Sequence, residues 1–200
     1  MQLKIKNVVF YIAIVAIFIF SPLTTFGEET KYNSKTRLSP TESTVIIGYG
    51  RGSISEGSYE NISLIWHLGF DIRRFFPRLA NHRGIPSFYL EPKLNPVISP
   101  EKDIEVGISF GIKYMYPLKN RLYGYIAGSV GPHLITVQTE DQANGFIFFD
   151  TIGTGLSFFL TKKSAINLEY RLRHISNASI KQPNGGINSH ISAIGYSLFF

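Results

Sequence analysis

Asp103-Ile104-Glu105-Val106-Gly107-Ile108-Ser109-Phe110-Gly111-Ile112-Lys113-Tyr114 alternates without a break between apolar residues and residues that are charged, hydroxylated or glycine. A period of two is that of a β-strand with chemically different faces. The same alternation recurs on both sides at hairpin spacing. Val45, Ile47 and Tyr49 share one parity, and Ile62, Leu64, Trp66, Leu68, Phe70 and Ile72 share another. Further on, Phe88, Leu90 and Leu94 alternate with Tyr89, Glu91, Lys93 and Asn95. Segments 122–130, 146–160, 165–176 and 188–200 continue the pattern, which predicts eight strands. Turn-rich stretches separate them, among them Arg51 to Ser58, Pro117 to Asn120 and Glu140 to Gly145.

An apolar face needs either a core or lipid. The N-terminus decides between them. Lys4 and Lys6 precede Val8 to Phe20, a run without charge, and Thr25-Phe26-Gly27 places small residues at the −3 and −1 positions of a cleavage site. This is a secretory signal-peptide pattern over 1–27, with an apolar run shorter than a membrane-spanning helix needs. Its removal takes two of the 20 basic residues and none of the 14 acidic ones, leaving 18 − 14 = +4 on a mature domain of 28–200. No other stretch reads as a transmembrane helix, and the chain has no cysteine for disulfides or thiolate metal sites.

An exported chain with 16 Phe, 11 Tyr and 18 Gly, ending Tyr196-Ser197-Leu198-Phe199-Phe200, fits an all-β fold of one kind in particular. That is an eight-stranded antiparallel transmembrane β-barrel in the bacterial outer membrane, preferred to a soluble sandwich. Eight strands enclose an interior filled by side chains rather than a pore. Glu91, Lys93, Glu105, Lys113, Glu169, Arg171 and Arg173 have inward parity and are expected to pair there, since an unpaired buried charge is costly. His67 shares that parity and reads as a lumen residue. Pro92 and Pro96 remove ladder donors and predict bulges or irregular pairing. Asp150 has the parity of lipid-facing Phe148 and Ile152, which suggests a later strand start or a bulge.

The candidate chemistry lies in Arg173-His174-Ile175-Ser176-Asn177-Ala178 and Pro183-Asn184-Gly185-Gly186-Ile187-Asn188. His174 and Ser176 project from one face, as a base and the nucleophile it activates must. They continue the outward parity of Ile166, Leu168, Tyr170 and Leu172. Pairing the last two strands around the intervening loop brings Asn188 within cross-strand reach of His174. Nucleophile, base and orienting group are then Ser176, His174 and Asn188. With both termini periplasmic, the seventh strand runs outward and carries this face to the outer leaflet, where lipid A presents ester-linked acyl chains.

The segment His174-Ile175-Ser176-Asn177-Ala178 with Pro183-Asn184-x-Gly186 resembles the signature of the outer-membrane lipid A 3-O-deacylases, the PagL family. The resemblance implies an eight-stranded barrel enzyme, a carboxylic ester hydrolase that removes the ester-linked 3-hydroxyacyl chain at position 3 of lipid A. It implies Ser176 as nucleophile and His174 as general base. Asn177 and Asn184 match motif asparagines, and Asn184, with loop N–H groups and Gly186 beside it, is the candidate oxyanion support. The chain departs from the pattern twice, with Asn188 in place of glutamate and Ser179 in place of glycine. An amide orients an imidazole but brings no charge to the imidazolium.

Alone, a His-x-Ser triplet is also an ordinary interfacial pair on a structural or adhesive barrel, and an acyl-enzyme resolved by another acceptor would make a lipid A acyltransferase. His82, His133 and His190 lack metal-ligand spacing, so neither metal nor cofactor is expected, and His190 is kept as a neighbour of the site. Lys119, Arg121, Lys162 and Lys163 read as solvated charge at strand ends. The expected partners are lipopolysaccharide and the outer membrane, with the chain a monomer or homodimer. No phosphate-binding glycine loop or nucleic-acid motif is present.

Overall fold

The structure is a computed structural model that describes residues 39–79 and 81–200; the signal-peptide reading over 1–27 lies outside them. Eight strands pair antiparallel in sequence order, and β1 also pairs with β8, so the sheet closes on itself. They are β1 (Glu42–Ile54), β2 (Gly57–Asp71), β3 (Ile85–Ser99), β4 (Asp103–Lys119), β5 (Leu122–Ile135), β6 (Gly145–Phe159), β7 (Ser164–Ser176) and β8 (Ile187–Phe199). Closure leaves no edge strand, the condition for a sheet to stand in hydrocarbon. The strands run 13 to 17 residues, longer than the ~9–11 that cross the hydrocarbon layer. The excess lengthens the hairpins beyond the sequence expectation. Arg51 to Ile54 and Gly57 to Ser58 are strand, with a turn of two residues between them, and β4 runs through Pro117 to Lys119.

The alternation sorts the two faces. Val45, Ile47, Ile112, Ile126, Ile152, Leu168 and Ile194 are exposed on the outside, where lipid covers them. Inside, the expected charges are buried and paired. Glu91 meets Arg171 at 2.7 and 2.9 Å, Lys93 at 3.0 Å and His67 Nδ1 at 3.0 Å. Lys113 Nζ lies 2.5 and 2.6 Å from the Glu42 carboxylate, and Arg173 donates to Glu105 at 3.0 and 3.2 Å. Such contacts offset the desolvation of each charge, and removing one partner strands the other.

The outer end of the lumen is closed differently. Ile54, Tyr59, Val97, Ile135, Val137, Ile147, Phe149, Ile175 and Ile187 form one buried apolar cluster. His133 stacks on Phe149 there, with ring centroids 4.4 Å apart. Two members, Ile175 and Ile187, pair across β7 and β8. The strands whose outer faces carry His174 and Asn188 are thus pinned from within.

The strand register shifts at two places, and a shift that parity pointed to is missing. Between β2 and β3 the register shifts at Glu60/Asn61, which pair with Ser99 and Val97 and leave Ile98 as the extra residue, two positions after Pro96; between β4 and β5 it shifts at Pro117/Lys119. Asp150 is different. It lies within β6, paired in register with Val130 and His174, and is exposed on the outer face. No bulge removes it from lipid.

Candidate active site

β7 and β8 pair as Ile175↔Ile187, His174↔Asn188, Arg173↔Ser189 and Leu172↔His190. Since Ile175, Ile187, Arg173 and Ser189 are buried in the lumen, His174, Asn188 and His190 must face out. His174 Nδ1 lies 2.8 Å from Asn188 Oδ1. An amide oxygen only accepts, so Nδ1 carries the ring proton and Nε2 holds the free lone pair. A Cβ on Gly186 would stand 2.6 Å from His174 Cε1 and 3.2 Å from Nε2. The imidazole edge bearing the lone pair therefore packs against Gly186, whose φ of +75° also requires glycine. Ser176 follows on the same face, half-buried, one step nearer the loop. Among the described residues no hydrogen bond joins Ser176 to His174, and nucleophile–base contacts commonly tighten only around substrate.

The loop of residues 177–186 is held from several directions. Asn184 Oδ1 accepts from the Asn177 backbone N–H at 2.7 Å, and its Nδ2 donates to Ser179 Oγ at 3.3 Å. Asn177 is itself buried, with Nδ2 donating to the Lys181 carbonyl at 2.6 Å. The Asn177 N–H is thus consumed within the loop, whereas the Asn184 amide remains a donor with only a long contact. Ala178 and Ser179 adopt φ of +52° and +64°, the left-handed region that favours glycine. That conformation accounts for the glycine expected where Ser179 stands.

A second loop, residues 136–144, clasps the first. Gly185 N–H donates to the Asp141 carbonyl at 2.7 Å, Ala143 N–H to the Pro183 carbonyl at 2.8 Å, and Lys181 Nζ to Asn144 Oδ1 at 2.6 Å. The Asp141 carboxylate in turn accepts from Ser55 N–H at 2.6 Å and Ser55 Oγ at 2.8 Å. Sequence reasoning missed Ser55 and Asp141; the signal in the sequence was the length of a polar loop without strand periodicity.

On the lipid-facing surface, Asp150, Ile152, Leu172, His174, Asn188 and His190 line an open recess of about 450 Å³. Asp150 is the cross-strand partner of His174 on the side away from Asn188, so the histidine stands between an amide and a carboxylate. His190 Nδ1 lies 2.5 Å from the Tyr170 hydroxyl. The sequence-predicted His174, Ser176, Asn188, Asn177, Asn184 and Gly186 are all gathered at this outer end of β7 and β8. Arg121, Lys162 and Lys163 lie in turns at the opposite end of the barrel, and Lys119 ends β4 there.

A site facing lipid on an outer-membrane barrel narrows the comparison with known proteins. No curated protein matches the chain. Neisserial surface protein A superposes with a TM-score of 0.58 at 14% identity, covering 82% of this chain and 100% of that one. The outer membrane enzyme PagL superposes with a TM-score of 0.53 at 18% identity, covering 78% of this chain and 99% of that one. At such identities the two establish the barrel fold and no more. The family model described as lipid A 3-O-deacylase (PagL) matches residues 56–197, the greater part of the chain and all of β7 and β8 down to Ser197. This outer-membrane β-barrel therefore belongs to the lipid A 3-O-deacylase (PagL) family.

Proposed function

We propose that the chain is a serine esterase that removes the ester-linked 3-hydroxyacyl chain at position 3 of lipid A from within the outer leaflet. The observation that carries this reading is the 2.8 Å contact of His174 Nδ1 with Asn188 Oδ1 on a lipid-facing surface. It leaves Nε2 unprotonated on the side of Gly186. Ser176 Oγ attacks the ester carbonyl and His174 Nε2 takes its proton. The tetrahedral oxyanion is met by Asn184 Nδ2 and loop N–H groups, in a site where lipid excludes water and strengthens each donor. As the intermediate collapses, the sugar oxygen leaves with the proton from His174. Water, deprotonated by the same nitrogen, then attacks the acyl-serine; as the second tetrahedral intermediate collapses, Ser176 Oγ leaves with the proton from His174 and the 3-hydroxy fatty acid is released.

Asn188 holds the ring but is neutral. Asp150, the cross-strand partner of His174 on β6 and part of the same recess, is our candidate for the carboxylate that Asn188 lacks. A carboxylate on a lipid face is costly unless it serves function, which supports this role.

Mass spectrometry of lipid A from cells expressing the wild-type chain tests the reading. Wild type removes one hydroxyacyl mass, and Ser176→Ala lowers the rate by on the order of 10⁶-fold. Unchanged lipid A beside a folded, outer-membrane-inserted wild type would overturn the esterase in favour of a structural barrel. A gain of acyl mass would make it a transferase.

A further inference from the structure

We infer that Arg51, His190 and Tyr170 form a subsite for a phosphate group of the lipid A disaccharide, next to the candidate active site. The inference rests on the deacylase reading for the identity of the ligand. Arg51 lies on the outward face of β1, three residues before its outer end, and is the cross-strand partner of His190. Its side chain is 68% exposed and meets Glu60 through Nε at 3.6 Å, beyond hydrogen-bond range. Glu60 is instead hydrogen-bonded by Ser58 Oγ at 3.0 Å. Glu60 is the cross-strand neighbour of Arg51 on β2, yet it engages only Nε at that length, so the other guanidinium donors stay available on the polar side of the outer face.

A cation on the lipid side of a barrel is tolerated at the interface, where a headgroup supplies its counter-charge. His190 adds a donor. A phenol is a far stronger acid than a neutral imidazole N–H, so the Tyr170 hydroxyl donates to His190 Nδ1 across their 2.5 Å contact. The ring proton then sits on Nε2. A planar fork of guanidinium N–H groups beside an imidazole N–H matches the oxygens of a phosphate monoester.

The spacing fits one substrate molecule. Arg51, His190 and Leu172 form one cross-strand row, and Ser176 lies four residues beyond Leu172 on β7. Two strand spacings across and four residues along separate Arg51 from Ser176 by about 16 Å between backbones. With the long Arg51 side chain reaching into that gap, the span suits the phosphorylated disaccharide rather than a single sugar. The basic residues Lys119, Arg121, Lys162 and Lys163 are at the periplasmic end and cannot serve.

The test uses the full chain in detergent micelles, with bisphosphorylated lipid A and the same lipid after enzymatic removal of its phosphates. Wild type is expected to favour the phosphorylated substrate about tenfold in kcat/KM, through KM, as one charge-assisted contact warrants. Arg51→Gln erases that preference and Arg51→Lys restores part of it. The shift of the folded band on heating confirms that each variant is a barrel. In parallel, Ser176→Ala is titrated with both lipids to read binding without turnover. Hydrolysis with no phosphate preference, or a preference that survives Arg51→Gln, overturns the subsite and leaves the deacylase standing. Phosphate-dependent binding with no hydrolysis of either lipid by wild type does the reverse. Competition by phosphatidylglycerol as strong as by lipid A would assign the subsite to phospholipid and overturn the inference.

Discussion

Two sectors of the barrel's outer half face the same leaflet with different chemistry. On β4 and β5 the outward positions are Val106, Phe110, Val130 and Leu134, all exposed and all apolar. On β6, β7, β8 and β1 the corresponding face carries Asp150, His174, Asn188, His190 and Arg51. Both sectors belong to one closed sheet and line the same lumen. The polar sector is therefore not a consequence of how the barrel closes. Asp150 makes the contrast sharp, because its cross-strand neighbours are Val130 of the apolar sector and His174 of the polar one. The boundary between the apolar wall and the polar wall runs along β6.

The largest effect expected on this comparison comes from moving charge into the apolar sector. Ile126 points outward near the middle of β5. Ile126→Arg should destabilise the barrel by about 2–4 kcal/mol, the cost of a cation at mid-bilayer depth. Asp150→Leu should have the opposite sign, raising stability by up to about 1 kcal/mol while lowering deacylation. Chemical unfolding in lipid vesicles reads both. If Asp150→Leu destabilises the barrel, its carboxylate is structural and the functional contrast between the sectors fails at that residue.

Much of this organisation was legible in the sequence because two faces with opposite solvents leave a period of two in every strand. The lumen charges, the outward histidine and serine, and the Asn188 partner all follow from parity and a hairpin. Asp150 was misread for the same reason. Parity alone assigns a carboxylate on the lipid face to an irregularity, whereas the strand register keeps it on that face beside His174. The clasp of Asp141 on Ser55 and Gly185 was not legible at all, since contacts between loops far apart in sequence leave no periodic trace. Arg51 fell in a stretch whose Gly and Ser content read as a turn, whereas closure of β1 on β8 makes it strand.

Asn188 gives the next effect in size. Asn188→Ala removes the acceptor at 2.8 Å that fixes the His174 tautomer, and should lower kcat by about 10²-fold with the barrel intact. Asn188→Glu keeps an acceptor, adds charge, and should raise kcat by roughly tenfold, the worth of one charged hydrogen bond. Rates of fatty-acid release from purified lipid A in micelles check both. Equal rates for wild type and Asn188→Glu would mean that Asp150 already supplies the full charge, which moves the weight of the polar sector from β8 to β6.

The smallest expected effect lies in the loop that joins the two catalytic strands. Ser179 sits at φ +64°, a conformation that costs a residue with a Cβ roughly 1 kcal/mol relative to glycine. Against this, its Oγ receives only the 3.3 Å contact from Asn184 Nδ2. Ser179→Gly should therefore raise the unfolding free energy by about 0.5–1 kcal/mol, after allowing for the added freedom of the unfolded chain. The same change releases Asn184 Nδ2 from a competing acceptor, and deacylation should rise about twofold, as loss of a weak hydrogen bond warrants. A fall in activity with the expected gain in stability would show that the Ser179 hydroxyl aims the Asn184 amide. The serine would then belong to the polar sector's chemistry, and the departure from glycine would be part of how this chain holds its oxyanion donor.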